Sequence, residues 1–184
     1  MKTIRQALRQ KRRSINRRDR TKFSRQLLSR CKGLGIFQSG KKIAIYLTND
    51  GEIDPIYIQK YMQMIGLSVY LPLLDGKKLK FAKIGNTYKK NRFGINEPIF
   101  STFTNANKLN VILMPLVGFD QNKNRIGMGG GFYDKTLSFK IRQTNFNTPK
   151  LYGLAFDCQE SDNLDIKPWD VQLDGVITPS RVIK

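Results

Sequence analysis

The groups best suited to handling a charged ligand crowd between Met114 and Asp134. There a short apolar run ends, a polar loop follows, and Arg125 stands just ahead of Gly127, Gly129, Gly130 and Gly131. Glycines at this density let the backbone approach a ligand closely and present successive N–H groups as an anion nest. The helix start expected behind them adds the positive end of its dipole, and Arg125 offers a fork of donors that matches a phosphate. The segment is not a P-loop, since no Gly-Lys-Ser/Thr follows. It is not the dinucleotide fingerprint either, because Phe132 occupies the third glycine position. A glycine hinge where a helix packs on a sheet is the other reading of the same residues.

What the chain lacks narrows the chemistry further. Histidine is absent from all 184 residues, which excludes Ser-His and Cys-His nucleophiles and His-containing zinc sites. Acid–base and metal work then falls to Asp, Glu, Lys, Tyr or water, and a metal held by carboxylates alone is a hard ion, magnesium first. Cys31 and Cys158 have no metal-type spacing and are too few for a disulfide framework, so they read as two small packed thiols. The formal net charge of +19 implies attraction to polyanions such as nucleotides, phosphates, polyglutamates or nucleic acid. Twelve of the 33 Lys and Arg residues fall in the first 30 positions, beside the single acid Asp19. A nucleic-acid arm and a solvated basic helix face are both compatible with that run.

The elements that must position these groups alternate. Residues 3–18 read as a basic helix with Ile4, Leu8 and Ile15 on one side, and Asp19 as cap of a second helix ended by Gly33 and Gly35. A buried strand is expected at Ile43–Leu47, then a helix with Asp54 as N-cap and Pro55 at its first position. Further strands are expected at Ser68–Leu71, ended by Pro72, at Leu79–Ile84 as an edge, at Val111–Met114, at Leu151–Phe156 and at Gly175–Thr178. A helix is expected from Phe132 to Arg142, and residues 85–108, rich in Asn, Thr, Gly and Pro, have no assigned element. The alternation argues for one three-layer α/β domain over residues 1–184, its largely parallel central sheet flanked by helices and preceded by basic N-terminal helices. Ligands in such sheets gather at the carboxyl ends of strands. No run approaches the roughly 18 apolar residues of a membrane span, and the basic start lacks the hydrophobic stretch of a secretory signal, so a soluble cytoplasmic protein is expected.

The run Arg125-Ile-Gly-Met-Gly-Gly-Gly-Phe-Tyr-Asp134 closely resembles the signature of 5-formyltetrahydrofolate cyclo-ligases, in its bacterial form, and Pro115-Leu-Val-Gly-Phe-Asp120 resembles the family's lead-in. The resemblance extends to the basic segment around Arg5 and Leu8, to Ile45-Tyr-Leu-Thr-Asn-Asp-Gly-Glu-Ile53, and to Trp169-Asp-Val-Gln-Leu-Asp174 with Val176-Ile-Thr-Pro179. It implies conversion of 5-formyltetrahydrofolate, with or without a polyglutamate tail, to 5,10-methenyltetrahydrofolate at the expense of ATP and with Mg2+. In that chemistry the formyl oxygen attacks the γ-phosphoryl group and N10 closes on the activated carbon. Phosphoryl transfer rests mainly on positioning and charge neutralisation, which suits a site without histidine.

By resemblance, Lys2 and Arg5 belong to an ATP-contacting basic segment, although some members carry that Lys where this chain has Met1. Arg125, Ile126, Gly127, Met128, Gly129, Gly130, Gly131, Phe132 and Tyr133 correspond to the nucleotide loop, of which Met128 to Phe132 also border the folate. Some relatives have Lys at the position of Gly130, so a phosphate-directed charge must come from elsewhere. Asp134 and Asp170 match the magnesium carboxylates, and Arg125 and Asp134 stand nearest the chemistry. Leu47 and Glu52 match substrate-side positions, Glu52 as acceptor for pterin N–H groups. Each has an ordinary structural rival: a dipole partner for Asp134, a turn for Asp170, a solvated helix face for Arg5, a surface loop for Glu52. Trp169 suits stacking on adenine or pterin, while packing is the commoner role of a lone Trp. A monomer or weak homo-oligomer without specific nucleic-acid partners is expected. The competing reading is a basic α/β RNA-binding module without catalysis, against which stands the lack of an RNA-recognition aromatic motif.

Overall fold

The computed structural model describes residues 2–85, 87–99, 102–142, 148–162 and 164–184, without the side chains of Lys2 and Arg142. Two helices lead, α1 (Lys2–Arg13) and α2 (Arg17–Gly33), followed by α3 (Ile56–Met64), α4 (Phe132–Leu137) and α5 (Phe139–Arg142). The strands are β1 (Lys42–Ala44), β2 (Ser68–Asp75), β3 (Lys78–Lys83), β4 (Tyr88–Lys90), β5 (Asn96–Pro98), β6 (Phe103–Thr104), β7 (Val111–Pro115), β8 (Gly118–Phe119), β9 (Arg125–Ile126), β10 (Lys150–Leu154), β11 (Gly175–Ile177) and β12 (Val182–Ile183).

Eight of these form one sheet in the order β12-β11-β10-β7-β1-β2-β3-β6. The central strands β2, β1, β7, β10 and β11 run parallel, and β3, β6 and β12 join antiparallel at the two ends. Alternate residues of the central strands bury on opposite faces, as a sheet covered on both sides requires. Ile43, Val111 and Leu113 pack with Leu27 of α2 and Ile58 and Met62 of α3. On the other face Ala44, Ile112 and Met114 pack with Leu137 of α4, and Phe139 of α5 packs against that cluster. No described helix is long and apolar enough to cross a membrane.

The chain leaves β1 toward β2 on one side and β7 toward β10 on the other. The loops following β1 and β7 therefore open a crevice at the carboxyl ends of two adjacent strands, where such sheets bind ligands.

Several expectations shift. The first helix stops at Arg13, and Asn16, not Asp19, caps α2 by accepting the Asp19 N–H at 2.9 Å. Ile15 accordingly leaves the Ile4–Leu8 side and packs into the main core. The Asp54 carboxylate does accept the Ile56 N–H at 2.9 Å, but Pro55 takes the N-cap position itself. Strand β2 continues through Pro72, because beyond Tyr70 it has lost its β1 neighbour and the missing N–H breaks no ladder on that side. The expected edge strand β3 is covered by β6. The helix after the glycine loop breaks at Ser138 into α4 and α5.

Candidate functional site

The glycine loop starts from β9, a two-residue strand paired with β8 that fixes where Arg125 emerges. Gly129 and Gly131 have φ of 106° and 62°, backbone that side chains with a Cβ rarely adopt. A Cβ at Gly130 would lie 2.6 Å from the Phe132 ring, so a lysine there would have to displace that ring. Instead Lys135, in the first turns of α4, reaches back to donate from Nζ to the Gly130 carbonyl at 2.9 Å. A lysine thus returns to this loop by another route.

This loop is the common wall of two cavities. The first, about 440 Å³, is lined by Leu47, Glu52, Leu71, Leu74, Phe93, Phe132 and Tyr133 among others. The second, about 990 Å³, carries Arg5, Lys78, Lys135, Lys167, Trp169 and Asp170. Both volumes lie in the range of small-molecule sites. Arg125, Gly127, Gly130, Gly131 and Asp134 border both. Met128, Phe132 and Tyr133 line the first alone, and Ile126 and Gly129 the second alone, the Ile126 side chain also packing with Leu8 and Val117.

At the shared wall, Arg125 Nη2 donates to Asp134 Oδ1 at 2.6 Å, with side-chain exposures of 4% and 16%. The buried Arg125 Nε has no hydrogen-bond partner among the described residues. A buried donor left unmade costs about 1–3 kcal/mol, a cost that a ligand oxygen or a water can offset. Asp134 Oδ1 also accepts the Val171 N–H at 3.2 Å, which ties the carboxyl-terminal segment to the loop and places Asp170 on the second cavity. The Asp170 carboxylate accepts the Lys167 N–H through Oδ2 at 2.9 Å.

Arg5 approaches the loop from α1, donating from Nε to the Gly127 carbonyl at 2.9 Å. The helix that carries it is anchored by charge. Arg9, Arg12 and Arg13 all bind the Asp50 carboxylate, and the fully buried Arg12 also donates to the Asp50 and Leu116 carbonyls at 3.0 Å each. Asp50 sits at φ 52°, a left-handed conformation that Asp tolerates better than most residues. Leu8 is the one buried apolar side chain of α1 among the described residues. Lys2 opens the helix, its side chain lying outside the described residues.

Glu52 closes the loop after β1. Burial pushes its carboxyl up to about 7, against the Asn49 N–H, which donates to Oε2 at 3.0 Å, and the charge of Arg12. Burial also raises Tyr133, with Glu52 adding to the effect and Arg125 opposing it. The guanidinium of Arg125 lies 5.9 Å from the centre of the Tyr133 ring.

Every other sequence-derived site residue reaches one cavity or both. What sequence reasoning missed is the hairpin β4–β5, whose Asn91, Phe93, Ile95, Asn96 and Glu97 complete the first cavity. Buried Glu97 pins that hairpin to the sheet by accepting from the Leu74 N–H and Asn91 Nδ2, both at 2.9 Å. Lys78 and Lys135 were also missed. No signal short of the fold marks them, in a chain where lysine is scattered throughout.

The sequence profile of the 5-formyltetrahydrofolate cyclo-ligase family matches residues 1–179. The chain belongs to that family. The 5-formyltetrahydrofolate cyclo-ligase of Escherichia coli K12 is 31% identical over 182 residues, covering 95% of this chain and 98% of its own. That of Haemophilus influenzae is 36% identical over 149 residues, 76% of each chain. Among solved structures, Aquifex aeolicus 5,10-methenyltetrahydrofolate synthetase superposes with a TM-score of 0.83 at 25% identity, over 98% of this chain and 90% of that one. As a cyclo-ligase of this family, the chain is an enzyme of one-carbon folate chemistry that converts 5-formyltetrahydrofolate to 5,10-methenyltetrahydrofolate.

Proposed function

We propose that the chain, acting as one domain in the cytoplasm, drives this ring closure with ATP. On this reading the folate occupies the first cavity and the nucleotide the second. The observation that carries the reading is the shared wall: Arg125, Asp134 and three glycines border both spaces, so a group passed between two ligands there meets the same donors throughout. The formyl oxygen attacks the γ-phosphorus and ADP leaves. N10 then adds to the activated formyl carbon and gives up its proton to solvent, and inorganic phosphate departs with the former formyl oxygen. Backbone N–H groups of the loop, Arg5 and Arg125 hold the phosphates, and charge placed in advance where it develops is the main catalytic lever for such a transfer. Lys135 supplies the charge that Gly130 does not carry.

Among the described residues no three His, Cys, Asp or Glu side chains gather to hold a metal. Three carboxylates line the second cavity, Asp134, Asp165 and Asp170. Asp165 is paired with Lys167 Nζ, and Asp134 and Asp170, joined through the Val171 N–H on Asp134 Oδ1, are the two we assign to an ion. A pair suits magnesium, which commonly takes one or two protein carboxylates and completes its shell with phosphates and water. Such an ion would neutralise phosphate charge. In the first cavity Leu47 packs on the substrate, and Glu52 accepts from pterin N–H groups once ionised.

The test is nucleotide turnover measured with and without folate. ADP release should appear only when 5-formyltetrahydrofolate is present, in step with methenyltetrahydrofolate absorbance. Methenyltetrahydrofolate formed at full rate without any nucleotide would overturn the reading.

A further inference from the structure

Trp169, the single tryptophan of the chain, does not pack. It is 66% exposed and lines the second cavity. Its ring has no aromatic or cationic partner among the described residues. An indole carries a large apolar surface, and leaving it in water at the wall of a cavity withholds that surface from the core.

The turn beneath it is firmly built. The Asp170 N–H donates to the Lys167 carbonyl and the Lys167 N–H to the Asp170 carboxylate, both at 2.9 Å, and Pro168 stiffens the step between. The bond from the Val171 N–H to Asp134 holds this turn against the glycine loop. Ile141 of α5, 45% exposed, lines the same cavity. The lining therefore divides by chemistry, with Arg5, Arg125 and Lys135 suited to phosphates and Trp169, Pro168 and Ile141 suited to a flat apolar group.

We infer that Trp169 is the stacking platform for the nucleotide's purine base, with Ile141 completing an apolar berth. This rests on the assignment of the second cavity to ATP and adds where the base lies. Stacking uses the π-face that every base has, so the site tells nucleotide from bare phosphate chain rather than one base from another.

The single tryptophan makes the test direct. Titration of the intact protein with Mg-ATP should change indole emission with saturation, while tripolyphosphate, which has the phosphates and no base, should displace labelled ATP without changing the emission. Trp169→Ala should weaken ATP binding by roughly five- to a hundredfold and leave tripolyphosphate affinity unchanged. Trp169→Phe should recover most of the loss. Labelled ATP that binds the native protein with unaltered emission, and binds Trp169→Ala equally well, would overturn the inference alone. An equal loss for ATP and tripolyphosphate in Trp169→Ala would also overturn it. Failure of labelled ATP to bind at all would overturn the nucleotide assignment and this inference with it.

Discussion

Replacing Glu52 by Gln should make the protein more stable in alkaline solution and indifferent in acid. The native carboxyl lies between Arg12 of α1, Tyr46 at the end of β1 and Tyr133 of α4, and burial raises it from an ordinary 4.5 to about 7. Between those values the folded state keeps a proton that the unfolded chain has released. Stability therefore falls as pH rises through that window, is unaffected below 4.5, and has lost its full amount above 7. At about 1.4 kcal/mol per pH unit the span is worth about 3 kcal/mol. Water at the cavity mouth makes this a ceiling, since Glu52 is only half-buried. Gln keeps the shape and the acceptor for the Asn49 N–H without ionising. Urea unfolding of both proteins at pH 4.5, 6 and 8 reads the gap from midpoints at constant slope. It should open from near zero to about 2–3 kcal/mol. The folate KM of the native enzyme should also fall as pH rises through 7, because only the carboxylate accepts without a competing proton, and Glu52→Gln should flatten that profile. A stability gap equal at pH 4.5 and pH 8 would refute the reasoning.

Arg5→Ala should raise the KM for ATP about ten- to a hundredfold, the value of a charge-assisted hydrogen bond, and leave the folate KM alone; steady-state kinetics with each substrate varied will show it. Asp134→Asn and Asp170→Asn should each lower turnover and raise the magnesium requirement. The double variant should lose less than the two losses added, and full additivity in a magnesium titration would place the two acids in separate roles. Gly175→Ala should destabilise the fold by about 1–3 kcal/mol, because its Cβ would meet the Ile183 carbonyl at 2.7 Å and the Tyr152 ring at 3.1 Å, and a melting temperature equal to the native one would refute that.

The strands at β1 and β7 were legible because unbroken apolar runs bounded by glycine, lysine or proline are what a doubly covered sheet demands. The glycine loop was legible as backbone that only glycine adopts readily, and Gly129 and Gly131 do take φ of 106° and 62°. The opposite holds for the hairpin β4–β5. Its strand residues are Tyr-Lys-Lys and Asn-Glu-Pro, without alternation, and what fastens it is Glu97 accepting from Leu74, a contact set by the sheet and not by its neighbours in sequence. Arg12 is hidden for the same reason. In sequence it is one of twelve cations in a basic stretch, and only the folded loop around Asp50 and Leu116 makes it the largest fully buried side chain. Pro72 misled because its effect depends on which neighbouring strand has already ended.

Three guanidinium groups share the single carboxylate of Asp50, and that sharing makes the tolerance of this region to random substitution lopsided. Arg9 and Arg13 are 34% and 54% exposed, so losing either leaves the junction two-thirds manned and costs little. Losing Asp50 strands all three at once, including Arg12 with no water to turn to, and a buried charge deprived of its partner costs about 3–5 kcal/mol. Drift can therefore replace Arg9 or Arg13, while the buried Arg12 and the one acid opposite stand still.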